Sequence, residues 1–394
     1  MNLHNIVVYW FSYGISFHFS KNQETGRCPM ADAAYPQLIL RPGRISQNAA
    51  YLASLCAAHG VEMTAVVKGC NAHPDVVRAI LSSGIHSLAT SRLSQMEACE
   101  AAGLHADWML LRAPTRAECE ATVRLARISL QSDLATILHT EAAAARLQRT
   151  HEILVMVDMG DLREGIHDMD ELDAVLTAIR DRCPHLTVAG IGTTFGDFSA
   201  VMPDAERLSR FATLADRAEA ILGYPMRLVS GGSTFVLPAM LDGLLPKRVN
   251  HLRLGETMLL AHDLVAEFGR TDLDGLCTDT MLFKAEVIDL HQKPSCPQGE
   301  PVLDAFGNRP SFPDEGIRTR AVLSAGRLDF GDPAGLVPVE PGLRIVGATS
   351  DHLVLDVTDA AHPVRTGDVI TFRLTYGAML FLTAAADVRV TVAD

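Results

Sequence analysis

The chain has 394 residues, 48% of them hydrophobic and 21% charged, which excludes a disordered or collagen-like polypeptide. Its formal net charge of −13 excludes a broad nucleic-acid surface and a polybasic membrane patch, though a local cationic pocket stays allowed. At roughly 150 residues per domain, the length suggests two or three domains, or one barrel with something smaller.

Residues 3–19 form an apolar, aromatic stretch interrupted by His4, Asn5, Ser12, Gly14 and Ser16, with no Lys or Arg before it. That fits neither a secretory signal nor a spanning helix of about 20 apolar residues. Met30 is therefore the expected true start, and residues 1–29 an expected non-native or disordered extension. The eight cysteines, at 28, 56, 70, 99, 119, 183, 277 and 296, show no CxxC spacing. They are expected as buried thiols in a reducing cytoplasm.

The first strand, PQLILRPGRI (36–45), lies outside the barrel pattern and is expected to pair into a later β domain. From about residue 62, short apolar strands alternate with amphipathic helices. The strands are EMTAVVKG (62–69), HSLATS (86–91), DWMLLRAP (107–114), ARISLQS (126–132), EILVMVDMGD (152–161), VAGIGTTFG (188–196), RLVSGGS (227–233) and HLRLGE (251–256). Eight such units in about 200 residues predict a (β/α)8 barrel over residues 30–265 rather than an open sheet. A barrel places its chemistry at the C-terminal strand ends. There the chain carries Lys68, Ser91, Arg92, Arg112, Asp161, Arg163, Thr193, Thr194, Ser233, Thr234 and Arg253. After about residue 265 the pattern changes to short strands between Gly, Pro and Asp turns, with no helix of any length. That predicts an all-β domain over residues 266–394.

Lys68 closes the first barrel strand after an apolar run. A desolvated amine loses its proton more easily, and a neutral amine attacks aldehydes.

The stretches VVKGCNAHPDVVRAIL, VMVDMGDLREGI, GIGTTFG, SGGSTFVLP, LPKRVNHLRLGE, LDAFGNRPSF, ATSDHLVLDVTD and GDVITFRLTYGAML occur in order. Together they resemble the fold-type III pyridoxal-phosphate amino-acid racemases of the alanine racemase superfamily, and within it the ornithine racemase-like branch. The resemblance covers about residues 36–390. It implies that Lys68 holds pyridoxal 5′-phosphate as an internal aldimine, that Arg163 lies near the cofactor's phenolic oxygen, and that Arg253 faces its pyridine nitrogen. An arginine there has no acceptor and disfavours a protonated pyridinium. That favours removal and return of an α-proton over chemistry needing a long-lived carbanion. The phosphate is expected against Gly232, Ser233, Thr234, Gly255 and Tyr376. Two positions depart from the pattern. Ser233 stands where close relatives have Asn, and Ala72 where alanine racemases have a phosphate-binding Tyr. Thr193 and Thr194 stand where those enzymes stack a His on the ring.

Racemisation requires acid–base groups on both faces of a planar intermediate. Lys68 serves one face. The tyrosine that alanine racemases bring from the partner subunit's β domain falls on Phe306 or Asp304 here. Phe306 cannot move a proton, and Asp304 can if desolvation raises its pKa. The candidates for the second group are Asp304, then His352, then Cys70. Asp351 is expected to read the distal ammonium of a diamino acid such as ornithine, although a turn role for it stays open. The resemblance thus implies a cytoplasmic homodimeric isomerase, its active sites shared between barrel and partner β domain, with no metal. Two other readings stay open: a different enzyme on the same scaffold, such as an aldolase or epimerase, and a non-enzymatic carrier of the cofactor.

Overall fold

The computed structural model describes residues 34–393 except 267 and 301; the expectations for residues 1–29 and Cys28 lie outside them. Among the described residues no helix is long and apolar enough to cross a membrane.

The chain enters through strand β1 (Gln37–Leu40). The strand is shorter than the expected 36–45, because Pro42 opens a 17-residue helix, Pro42–Ala58. Proline is favoured at a helix start, where its missing N–H costs nothing. Eight parallel strands then close into a barrel: β2 (Glu62–Val66), β3 (Ser87–Thr90), β4 (Asp107–Leu110), β5 (Ile128–Gln131), β6 (His151–Met156), β7 (Leu186–Gly192), β8 (Leu228–Ser230) and β9 (His251–Leu254). Register closes the ring, with β9 pairing back onto β2 from Glu62↔His251 to Ala65↔Leu254. Side chains alternate across each strand. In β6, Leu154 and Met156 join an apolar cluster with Val66, Ala89, Met109, Ile128, Leu130 and Leu228. Ile153 and Val155 instead join the larger core with the helices.

The second sheet contains β10 (Met281–Pro294), β11 (Ile317–Leu323), β12 (Leu336–Pro338), β13 (Arg344–Ala348), β14 (Leu353–Asp356), β15 (Val369–Leu374) and β16 (Arg389–Val392). Their order is β12-β15-β10-β11-β14-β13, and β1 joins the sheet antiparallel to β10 and parallel to β16. Phe283 packs 6.2 Å from Phe330 and 6.0 Å from Phe372, centroid to centroid, in its core.

The expectation that no helix interrupts this region is corrected. Arg327–Phe330 and Tyr376–Leu382 are helical. The second buries Ala378, Met379 and Leu382, a three- and four-residue spacing that only a helix turns to one side.

Candidate active site

The Tyr376–Leu382 helix positions the site. Lys68 opens a 3-10 turn, Lys68–Cys70, directly after β2 and Val67. A Cβ on Gly69 would lie 2.5 Å from the Met379 methyl carbon. The Met379 and Leu259 side chains occupy the space that a Cβ would take, so helix and turn pack closely here. Thr383 Oγ1 donates to the Gly69 carbonyl at 3.0 Å and pins the contact. Tyr376 and Lys68 therefore line one cavity of about 790 Å³ at the C-terminal ends of the barrel strands. That size suits a small-molecule site.

The same cavity takes in Arg163, Thr194, Ser233, Thr234, Arg253 and Gly255. It also holds Glu164, Asp197 and Glu256, which were not among the expected site residues. Gly232 sits beside it with φ +131°, a backbone conformation that strains any residue with a Cβ.

Burial lowers the Lys68 pKa below the usual amine value, with Asp197 opposing and Arg163 reinforcing the shift. The amine is thus easier to deprotonate than a surface lysine. Arg163 does not pair with the nearby Asp161. It bonds Glu164, with Nη2–Oε1 at 2.7 Å, and reaches Asp197 at 3.3 Å. Asp161 instead accepts from the Phe198 and Ser199 amides at 3.2 and 3.1 Å, tying the loops after β6 and β7 together.

Arg253 is 6% exposed and, among the described residues, has no carboxylate within ion-pair distance. Its Nη2 donates to the Thr193 carbonyl at 2.8 Å and to Thr194 Oγ1 at 3.4 Å. Burial pulls its pKa down to about 10, so it stays cationic at neutral pH. Burial pushes the Tyr376 phenol up to about 12, so it keeps its proton.

These residues fit a phosphorylated aldehyde. Ser233 Oγ donates to Asp197 at 3.0 Å, which engages its only hydrogen. Thr257 donates to Thr234 Oγ1 at 3.1 Å and leaves Thr234 its own hydrogen for an anion. Of the hydroxyls expected to meet a phosphate, those of Thr234 and Tyr376 keep a hydrogen to donate, a narrower set than the sequence implied. After Ser233 the chain makes a 3-10 turn, Thr234–Val236, followed by five residues of α-helix.

The second acid–base candidates lie elsewhere. Asp304 is half-buried just before a turn and accepts from the Phe306 and Asn308 amides at 2.9 and 2.7 Å. Those bonds, with Arg327 nearby, hold its carboxyl below the usual range, opposite to the expected rise. Cys70 is corrected too. Its thiol is buried, donates to the Val67 carbonyl at 3.2 Å, and is pushed up to about 12, so it holds its proton. Asp351 and His352 occupy the exposed turn between β13 and β14, where the Thr349 amide donates to the His352 carbonyl at 2.8 Å. None of Asp304, Asp351 and His352 lines the chain's own cavity. They gather instead around Arg327. Its guanidinium lies 4.4 Å from the Phe306 ring centroid, and its amide donates to the Thr349 carbonyl at 2.9 Å.

Residues 40–263 match the family model for the alanine racemase N-terminal domain. Over 346 residues the chain is 36% identical to an ornithine racemase of Acetoanaerobium sticklandii, covering 88% of this chain and 96% of that one. It is 33% identical over 346 residues to a lysine racemase of Thermotoga maritima, covering 88% and 95%. Among solved structures, alanine racemase from Streptomyces lavendulae superposes with a TM-score of 0.70 at 19% identity, covering 91% of this chain and 97% of that one. At that identity the last likeness shows the fold.

Proposed function

The chain belongs to the alanine racemase family, and we propose that it interconverts the L and D forms of a diamino acid such as ornithine, with pyridoxal 5′-phosphate held on Lys68. The observation that carries this reading is the desolvated Lys68 amine in one cavity with Arg163, Arg253 and the carboxylates of Glu164, Asp197 and Glu256. The ornithine and lysine racemases among its relatives support the diamino substrate.

When bound, the cofactor supplies an electron sink that acidifies the α-carbon of an amino acid. Lys68 Nζ moves a proton on its own face, helped by the burial that lowers its pKa. Arg253 contributes only N–H donors, so it leaves a ring nitrogen unprotonated and limits the chemistry to proton removal and return. Thr234 and Tyr376, which line the cavity, would hold the cofactor's phosphate. Glu164 and Asp197 hold the Arg163 guanidinium in place.

The opposite face needs a second group, and we assign it to the Arg327-centred edge of a second copy, in a cytoplasmic homodimer. His352 is the stronger candidate there, because hydrogen bonding keeps Asp304 ionised. Asp351 remains the proposed reader of the distal ammonium from that edge. Val302, Leu303, Phe306 and Leu328 expose apolar surface around it, which suits a protein contact. Residues 30–265 and 266–394 remain the proposed domain limits.

Chiral chromatography of loaded protein with L-ornithine, L-lysine or L-alanine tests the reading. The expected result is accumulation of D-ornithine or D-lysine to near equality with the L form. Turnover of alanine alone, or of none of the three, contradicts it.

A further inference from the structure

Arg253 is a buried cation without an ion-pair partner among the described residues. A charge taken out of water must be compensated by well-placed dipoles. Its Nη1 donates to Ser230 Oγ. From there a line of polar groups runs down through the barrel. Ser230 Oγ lies 2.8 Å from His251 Nδ1, His251 Nε2 lies 2.8 Å from Thr64 Oγ1, and Thr64 Oγ1 lies 2.7 Å from Ser87 Oγ. Ser230, His251 and Thr64 are all at most 2% exposed. Thr64, Ser87 and His251 line a chamber of about 180 Å³ at the N-terminal ends of the strands. The charged groups facing His251 are Arg253 above and, around that chamber, Glu62, Asp107, Arg127 and Arg227.

Donor chemistry fixes the direction of this line. A guanidinium only donates, so Ser230 Oγ accepts from Arg253. If His251 Nδ1–H also donated to Ser230 Oγ, the serine hydrogen would be buried without an acceptor. The consistent arrangement has Ser230 donating to Nδ1, Nε2–H donating to Thr64, and Thr64 donating to Ser87. Every dipole then turns its negative end toward Arg253.

We propose that His251, locked as its Nε2–H tautomer, is a positioning residue that holds the Arg253 guanidinium at the floor of the active cavity through Ser230. The consequence for catalysis rests on the proposed function, but the chain of bonds does not. Burial and the Arg253 charge pull the His251 pKa down to about 3, so the imidazole stays neutral through the working pH range.

The test is imidazole nitrogen-15 NMR on histidine-labelled, cofactor-free protein from pH 8 to pH 5. The expected His251 signal is a neutral Nε2–H tautomer that does not titrate. A Nδ1–H tautomer, or protonation within that range, overturns the proposal whatever becomes of the functional reading. In loaded enzyme, His251→Phe should lower kcat for Cα-proton exchange roughly 10-fold or more, the scale of an outer-shell partner. KM should stay within about twofold, and the visible band of the bound cofactor should shift. His251→Gln, which retains a donor and an acceptor, should recover part of kcat. If His251→Phe does not fold, Ser230→Ala cuts the same link and should give the same kcat loss and band shift. Unchanged kcat and an unshifted band in either folded variant overturn the proposal.

Discussion

Asp197 stands 3.3 Å from the Arg163 guanidinium, and its other oxygen accepts from Ser233 at 3.0 Å. One carboxylate thus joins the loops after β6, β7 and β8 above Lys68. It also stabilises the charged form of Lys68 against the effect of burial.

The sign of that interaction is testable. Asp197→Asn keeps a hydrogen-bond acceptor for Ser233 but removes the negative charge. The ammonium form of Lys68 loses support, so its pKa falls further below the ordinary lysine value. Reductive methylation of Lys68 in cofactor-free protein, followed by mass spectrometry across pH, should show the reactive midpoint moving to lower pH. A midpoint that is unmoved or higher refutes the role given to Asp197.

Lys68→Ala should abolish the visible band formed on adding pyridoxal phosphate and cut racemisation by at least roughly 10³-fold. A lysine whose pKa is lowered in the native state costs stability at neutral pH, where the unfolded chain carries it charged. The melting temperature of the cofactor-free variant should therefore not fall. A drop of several degrees would show that Lys68 is a structural residue.

Subunit mixing tests the shared site. Lys68→Ala and His352→Ala should each be inactive alone. Equal mixing with exchange should yield hybrids in half the dimers, each with one intact site, for about a quarter of wild-type activity. Mixtures that remain inactive exclude His352 as the group supplied by the second copy.

Asp356 anchors the second sheet. Its buried carboxylate accepts from Arg318 and Arg320 at 2.8 Å each and from Arg344 at 3.0 Å. Burial opposes ionisation, but the bonds from Arg318, Thr358 and Arg344 outweigh it and hold the pKa well below the usual carboxylate range. The native pKa is depressed, so this stabilisation is complete above the unfolded value of about 3.9 and fades as pH falls below it. Asp356→Asn should cost about 3 kcal/mol at pH 7, the low end for a broken buried pair, because half-exposed Arg344 resolvates readily. Urea unfolding should show that difference shrinking below about pH 4. A constant difference would locate the loss in packing.

Strand-end residues were the legible part of this protein. Lys68, Arg163, Arg253 and Tyr376 belong to ordered motifs, and each barrel strand appears within a few residues of its expected span. Asp197 and Glu164 were not legible, because a loop carboxylate gains meaning only when loops distant in sequence meet. LTYGAML looks like a strand running on. It turns helical at Tyr376 because the Gly69 turn offers its apolar side a surface to pack on. Asp304 was expected to have its pKa raised by desolvation, but turn hydrogen bonds, which the residue's identity does not show, outweigh that burial and reverse its shift.

Proton exchange at the α-carbon of a diamino acid is the reaction proposed for Lys68, and deuterium uptake reports it. Loaded protein is incubated with L-ornithine in deuterated water, and the Cα signal is followed by proton NMR alongside optical rotation. The expected result is deuterium at Cα together with decay of rotation to zero, both absent in Lys68→Ala. Ornithine that keeps its Cα proton and its rotation in the presence of loaded wild-type protein would contradict it.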